Sequence, residues 1–259
     1  MIQTPKHGPD RCTVLVFAVL LHYSKTYVLT TVGGRGEPFT NKLYSLTGNA
    51  SESQWSEEFP PMPTKRKWTT VICSNAKLIV AGGMTDVTLR TVEVLNAEEV
   101  PYTWSTATSL PSPFHRASAA ICNGRIFMLG GSGEGEQNET SVLTCQLKDL
   151  LQSSTHSDTN ACDVWSRIAD LPVSKSTCAS LGDQLLAIGG KEADDKFSSD
   201  VYTYDLLTDS WKIVSQLSIA RCSCFAAVLS NDQIMVLGGW IKKQHDTDSV
   251  EIGKCVKDN

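Results

Sequence analysis

The chain of 259 residues has no apolar run of about 18 residues, the length a membrane-spanning helix requires. It has no basic stripe either. Its 23 Lys and Arg stand against 28 Asp and Glu, for a formal net charge of −5. A nucleic-acid surface needs clustered cations, so that class is disfavoured. There is no Cys-x-x-Cys, and none of His7, His22, His115, His156 and His245 pairs with another at His-x-His or His-x-x-x-His spacing. No metal or cofactor is therefore expected. Gly-x-Ser-x-Gly, P-loop and dinucleotide fingerprints are all missing. The glycine-rich stretch 130–136 follows an apolar segment. No lysine or helix start comes after it, and its glutamates would repel phosphate.

Repetition is what the chain does have. Five apolar runs end in a glycine pair: Gly33-Gly34, Gly82-Gly83, Gly130-Gly131, Gly189-Gly190 and Gly238-Gly239. The steps between first glycines are 49, 48, 59 and 49 residues. A fixed period of this length marks one supersecondary unit repeated along the chain. Trp55, Trp104 and Trp211 each follow the first glycine by 22 residues, and Trp165 by 35. Between glycines and tryptophan lies an alternating segment (42–46, 91–95, 141–145, 200–204, 249–253), with the two-residue period of a strand. Ahead of each glycine pair is a further short strand, opened by Arg11, Arg66, Arg116, Lys175 or Arg221.

Each unit thus reads as four strands. One such sheet cannot bury both faces alone, but sheets stacked radially bury each other. The glycines suit close backbone approach and the tryptophans suit the wide outer gap between diverging sheets. Glycine pair, alternating strand and tryptophan at fixed spacing resemble the kelch repeat, over about Arg11 to Cys255. The resemblance implies an all-β fold, a β-propeller of five recognisable blades. The approximate repeats are 11–65, 66–115, 116–174, 175–220 and 221–259, in a single domain over 1–259. It also implies a protein-binding platform without catalysis. By the 22-residue rule the fifth tryptophan would fall at position 260, so the fifth blade is expected to lack its outer strand. Either residues 1–5 pair beside 249–253 and close the ring, or the repeats form an arc of a larger ring, six blades being the common number.

The segment 12–21 resembles a signal-peptide core, but Leu21-His22-Tyr23 offers no small-residue cleavage site. It aligns with 222–229 and reads as a first strand. Nine cysteines, four of them (Cys73, Cys122, Cys178, Cys224) in first strands, read as reduced apolar fillers, and a cytoplasmic location is expected. The long third repeat contains Leu147-Lys148-Asp149-Leu150-Leu151-Gln152, a helical signal, and is expected to form a protruding loop with one helical turn.

Partner binding is expected on loops of the propeller face. The candidates are Arg66, Phe114, His115, Arg116, Lys175, Arg221 and Trp240. In kelch-type substrate adaptors, which serve ubiquitin ligases, residues near these loops grip acidic peptide motifs. The resemblance therefore implies a protein partner, an acidic peptide and ligase components. Bracing of strand ends is the competing role for the cations. Two alternatives stand beside this reading: a secreted propeller enzyme of galactose-oxidase-like type, and a truncated, non-functional fragment.

Overall fold

The structure is a computed structural model. It describes the backbone of residues 16–19, 26–31, 45–47 and 54–56, residues 41 and 43, and residues 59–254 apart from 134–139, 154–163, 231 and 243–244. Expectations for Arg11, Gly33, Gly34, the 1–5 strand and the sequence beyond Lys254 lie outside these residues.

Antiparallel sheets follow one another along the chain. The first holds β1 (Val16–Val19), β2 (Thr26–Thr31), β3 (Ser45–Thr47) and β4 (Gln54–Ser56). The second holds β5 (Thr70–Ser74), β6 (Lys77–Ala81), β7 (Val92–Asn96) and β8 (Thr103–Ala107). The third holds β9 (Ser118–Cys122), β10 (Arg125–Leu129), β11 (Val142–Gln146) and, after helix α1 (Leu147–Ser153), β12 (Ser166–Ile168). The fourth holds β13 (Thr177–Leu181), β14 (Gln184–Lys191), β15 (Phe197–Asp205) and β16 (Ser210–Gln216). Then come β17 (Phe225–Ser230) and β18 (Gln233–Leu237), a small hairpin of β19 (Trp240–Lys242) and β20 (His245–Asp246), and β21 (Val250–Lys254). β17, β18 and β21 form a three-stranded sheet. β9 lies beside both β5 and β13, and β13 lies beside β17, so first strands line a common axis. The fold is an all-β propeller.

The second strands are the most apolar because neighbouring sheets cover both of their faces. Leu78 to Ala81 and Ile126 to Leu129 are all buried. The third strands of the second and third sheets alternate in sequence yet are also covered on both faces: β7 is buried from Val92 through Leu95, Glu93 included, and β11 from Val142 through Cys145. The period of two marks strand geometry here, not a wet face. Outer strands are wetter; in β8 only Ala107 is buried.

The glycine pairs stitch the repeats. A Cβ on Gly82 would lie 2.3 Å from the Phe114 carbonyl oxygen, on the segment that leads into β9 of the next sheet. The neighbouring Gly83 amide donates to that same oxygen at 2.8 Å. Gly189 and Gly190 meet the Arg221 carbonyl in the same way, at 2.3 and 2.8 Å. The tryptophans latch the rim. Trp104 Nε1 donates to Pro60 O at 2.9 Å, Trp165 Nε1 to Thr108 O at 3.3 Å, and Trp211 Nε1 to Ala169 O at 2.9 Å.

The helical turn expected in the third repeat is helix α1, and it packs down, burying Leu147, Leu150 and Ser153; the loop expected after it, 154–163, lies outside the described residues. Ser153 Oγ accepts from the Thr108 amide at 3.0 Å and donates to Leu150 O at 2.7 Å. The helix thereby extends the sheet-to-sheet core containing Trp165 and Ala107.

Candidate functional site

The segments entering β5, β9, β13 and β17 share one geometry. Lys67, His115, Ser174 and Cys222 bridge to the residue just after their own glycine pair, namely Met84, Ser132, Lys191 and Trp240. This puts the inter-repeat loops and the post-glycine loops at one end of the sheets. The next residue is left-handed in every case: φ is 54° at Trp68, 59° at Arg116, 53° at Lys175 and 51° at Ser223. Non-glycine residues seldom adopt this region, and they do so where surrounding contacts hold them. The Arg116 amide donates to Trp68 O at 2.8 Å and the Ser223 amide to Lys175 O at 2.9 Å. Successive repeats therefore present these four side-chain positions next to one another at the axial mouth.

This alignment corrects the expected frame of opening cations. Arg66 and Arg221 occupy one repeat position, shared with Phe114 and Val173. Arg116 and Lys175 stand two residues further on, shared with Trp68 and Ser223. The two classes meet different fates. Arg66 is fully buried; its guanidinium donates to Gly82 O at 2.8 Å and lies 2.7 Å from Glu93. Burial lowers its pKa, and Glu93 opposes that shift. Arg221 is equally buried, donating to Gly238 O at 3.0 Å and Ser249 Oγ at 2.8 Å and pairing with Glu251. Phe114 is core. His115 is buried beneath Trp68, with ring centroids 5.6 Å apart and Nδ1 facing Thr88 Oγ1 at 3.4 Å. Arg66, Phe114, His115 and Arg221 are therefore withdrawn as surface candidates; they brace or fill the fold.

Arg116, Lys175 and Trp240 remain at the surface. Arg116 is exposed, its guanidinium carbon 3.6 Å from the Trp68 ring centroid. Lys67 Nζ lies 4.4 Å from the same centroid. An indole that carries two cations is a strong local attractor for charge of opposite sign. Lys175 is half-buried; burial lowers its pKa first, followed by repulsion from Lys191 and, further down, Arg116, while Cys222 and Asp195 pull the other way. Lys191 is paired with Asp195. Trp240, on β19, is 45% exposed at the rim. Trp68 and Lys191 do not stand out in the sequence. Their signal is register: Trp68 follows Arg66 by two, as Arg116 follows Phe114 by two. Chemically, cations gathered on one indole, with Lys175 and Lys191 in the next repeat, suit carboxylates.

A family model, the KLHDC2/KLHL20/DRC7 Kelch-repeats domain, matches residues 18–239. Kelch-like protein 35 of Mus musculus is 25% identical over 190 residues, covering 72% of this chain and 29% of that protein. Kelch domain-containing protein 8B of Mus musculus is 29% identical over 161 residues, covering 60% of this chain and 43% of that protein. These matches span less than half the length of either relative. The solved structure of YjhT aligns with a TM-score of 0.65 at 16% identity, over 88% of this chain and 73% of that chain, a likeness of fold alone. Among the described residues no helix is long and apolar enough to cross a membrane. With the family model matched over most of its length on a propeller of glycine-paired sheets, the chain belongs to the kelch-repeat family.

Proposed function

We propose that the chain is a non-catalytic protein-interaction module, a single kelch domain over 1–259 whose sheets are five blades. Its axial mouth receives an acidic peptide segment of a protein partner. Trp68, Arg116 and Lys175 form the floor, and Trp240 is an aromatic anchor on the rim. The observation that carries this reading is the row of left-handed residues that holds Arg116 over Trp68 and places Lys175 in the next repeat. Rigid presentation matters because a pre-ordered site pays little entropy on binding. Clustered cations give specificity for a negative partner and speed its approach. The kelch resemblance extends this reading to a cytoplasmic adaptor that brings partners to ubiquitin-ligase components; recovery of a ligase scaffold with the intact chain checks that part.

The direct test is fluorescence anisotropy with a labelled, glutamate-rich peptide. Arg116→Ala with Lys175→Ala is expected to weaken binding about tenfold or more, equivalent to about 1.4 kcal/mol. Added salt is expected to weaken wild-type binding further, since exposed charges are screened. Equal affinity of wild type and the double variant would count against the mouth.

A further inference from the structure

The hairpin between β14 and β15 carries Glu192, Asp194, Asp195 and Lys196. Its base is fixed to the segment that holds Lys175. The Lys191 amide donates to Ser174 O at 2.7 Å, and the Ser174 amide donates back to Lys191 O at 2.8 Å. Ser174 Oγ donates to the same Lys191 carbonyl at 3.1 Å. Lys191 thus starts from the residue opposite Ser174, next to Lys175. Its charge lowers the Lys175 pKa, second only to burial. Like charges gathered at one mouth raise the local attraction for an anion.

The hairpin tip is set by its own amides. Glu192 N donates to Lys196 O at 2.9 Å and Asp195 N to Glu192 O at 3.1 Å. Asp195 has φ 69°, in the left-handed region. Asp and Asn enter that region more readily than other side chains, so the residue type suits the turn. The two adjacent aspartates then diverge. Asp194 pairs with Lys196 at 2.6 Å, where both side chains are more than half exposed. Asp195 pairs with Lys191 at 2.5 Å, whose side chain is only 14% exposed. One carboxylate serves the hairpin itself, and the other covers a lysine of the mouth.

We propose that Asp195 is a built-in competitor for the mouth: its carboxylate occupies Lys191 in the free chain and gives way when an acidic segment binds beside Lys175. This rests on the acidic-peptide reading of the mouth. Asp195 is itself exposed, so its contact is weak and reversible, as exposed ion pairs are. A tethered carboxylate is present at high effective concentration, and an incoming one has to replace it. The contact attenuates binding rather than blocking it.

The test uses the intact chain at about 0.15 M salt and the labelled glutamate-rich peptide, read by anisotropy. Asp195→Asn keeps the size and the left-handed tendency and removes the charge. It is expected to tighten binding about threefold to fivefold, the range of an exposed ion pair. Asp194→Asn removes an equal charge one residue away and should stay within about 1.5-fold of wild type, since a charge away from the lysine is screened. In a Lys191→Met background the gain from Asp195→Asn should vanish. Unchanged affinity for Asp195→Asn would overturn the proposal. Weaker binding would do so too, by showing that the aspartate positions Lys191 for the ligand. An equal gain from Asp194→Asn, or a gain that survives Lys191→Met, would reduce the effect to overall charge and likewise overturn it. Arg116→Ala with Lys175→Ala separates this proposal from the reading beneath it. If that variant loses binding while Asp195→Asn changes nothing, only the competitor fails. If it binds like wild type, the mouth is not the site and the competitor falls with it.

Discussion

Arg66 and Glu93 form a buried ionic pair at a position the repeats fill in two ways. Where Arg66 faces Glu93 and Arg221 faces Glu251, the other repeats place Phe114 with Leu143 and Val173 with Tyr202 in shared apolar clusters. Both members change together, because one buried charge without its partner is costly. Arg66→Phe alone or Glu93→Leu alone should lose about 3–5 kcal/mol in urea unfolding, and the double substitution should recover most of it. An additive double variant would contradict a coupled pair. The sequence presents Arg66 as a surface cation, since a lone arginine before a strand carries no mark of burial. Its partner 27 residues away becomes visible only with the strands in register. A second residue-scale test concerns Asp205. The Lys212 ammonium at 2.6 Å and the Leu207 amide at 3.0 Å hold its carboxylate down at about 2. Its contribution to stability is present above the ordinary carboxylate pKa of about 4 and is lost as pH falls towards 2. Titration followed by carboxyl NMR should show this midpoint, and Lys212→Gln should raise it.

At the scale of elements, the glycines differ by what they approach. Gly182 has φ 59° and nothing within 4 Å of an added Cβ; Gly189 has the same φ but meets the Arg221 carbonyl at 2.3 Å. Gly182→Ala should cost only the left-handed penalty of about 1–2 kcal/mol. Gly189→Ala should cost a further ~1–3 kcal/mol, because the neighbouring repeat must move. Similar losses in thermal unfolding for both would show that the stitch is loose. The order of the four-stranded sheets was legible because glycine, alternation and tryptophan recur in register, whereas the β19–β20 hairpin falls where the repeat suggests only a loop. Helix α1 was legible as a helix from Leu147, Leu150 and Leu151. Its packing was not, since that depends on Ser153 reaching the Thr108 amide of another sheet.

For the whole molecule, the period led to the propeller and the family, while the mouth stayed hidden. Its residues come from separate repeats and meet only at the axis. The cations Arg116 and Lys175 looked equivalent to Arg66 and Arg221 until the bridges at Lys67, His115, Ser174 and Cys222 fixed the register. Only then did Trp68 fall in line with Arg116, and the surface cations separate from the buried ones. Whether this mouth selects negative charge is tested most directly by charge reversal. Anisotropy should be measured for one glutamate-rich and one lysine-rich peptide against wild type and against Arg116→Glu with Lys175→Glu. Wild type should prefer the acidic peptide, and the reversed variant should lose it and gain the basic one. An unchanged preference in the variant would contradict it.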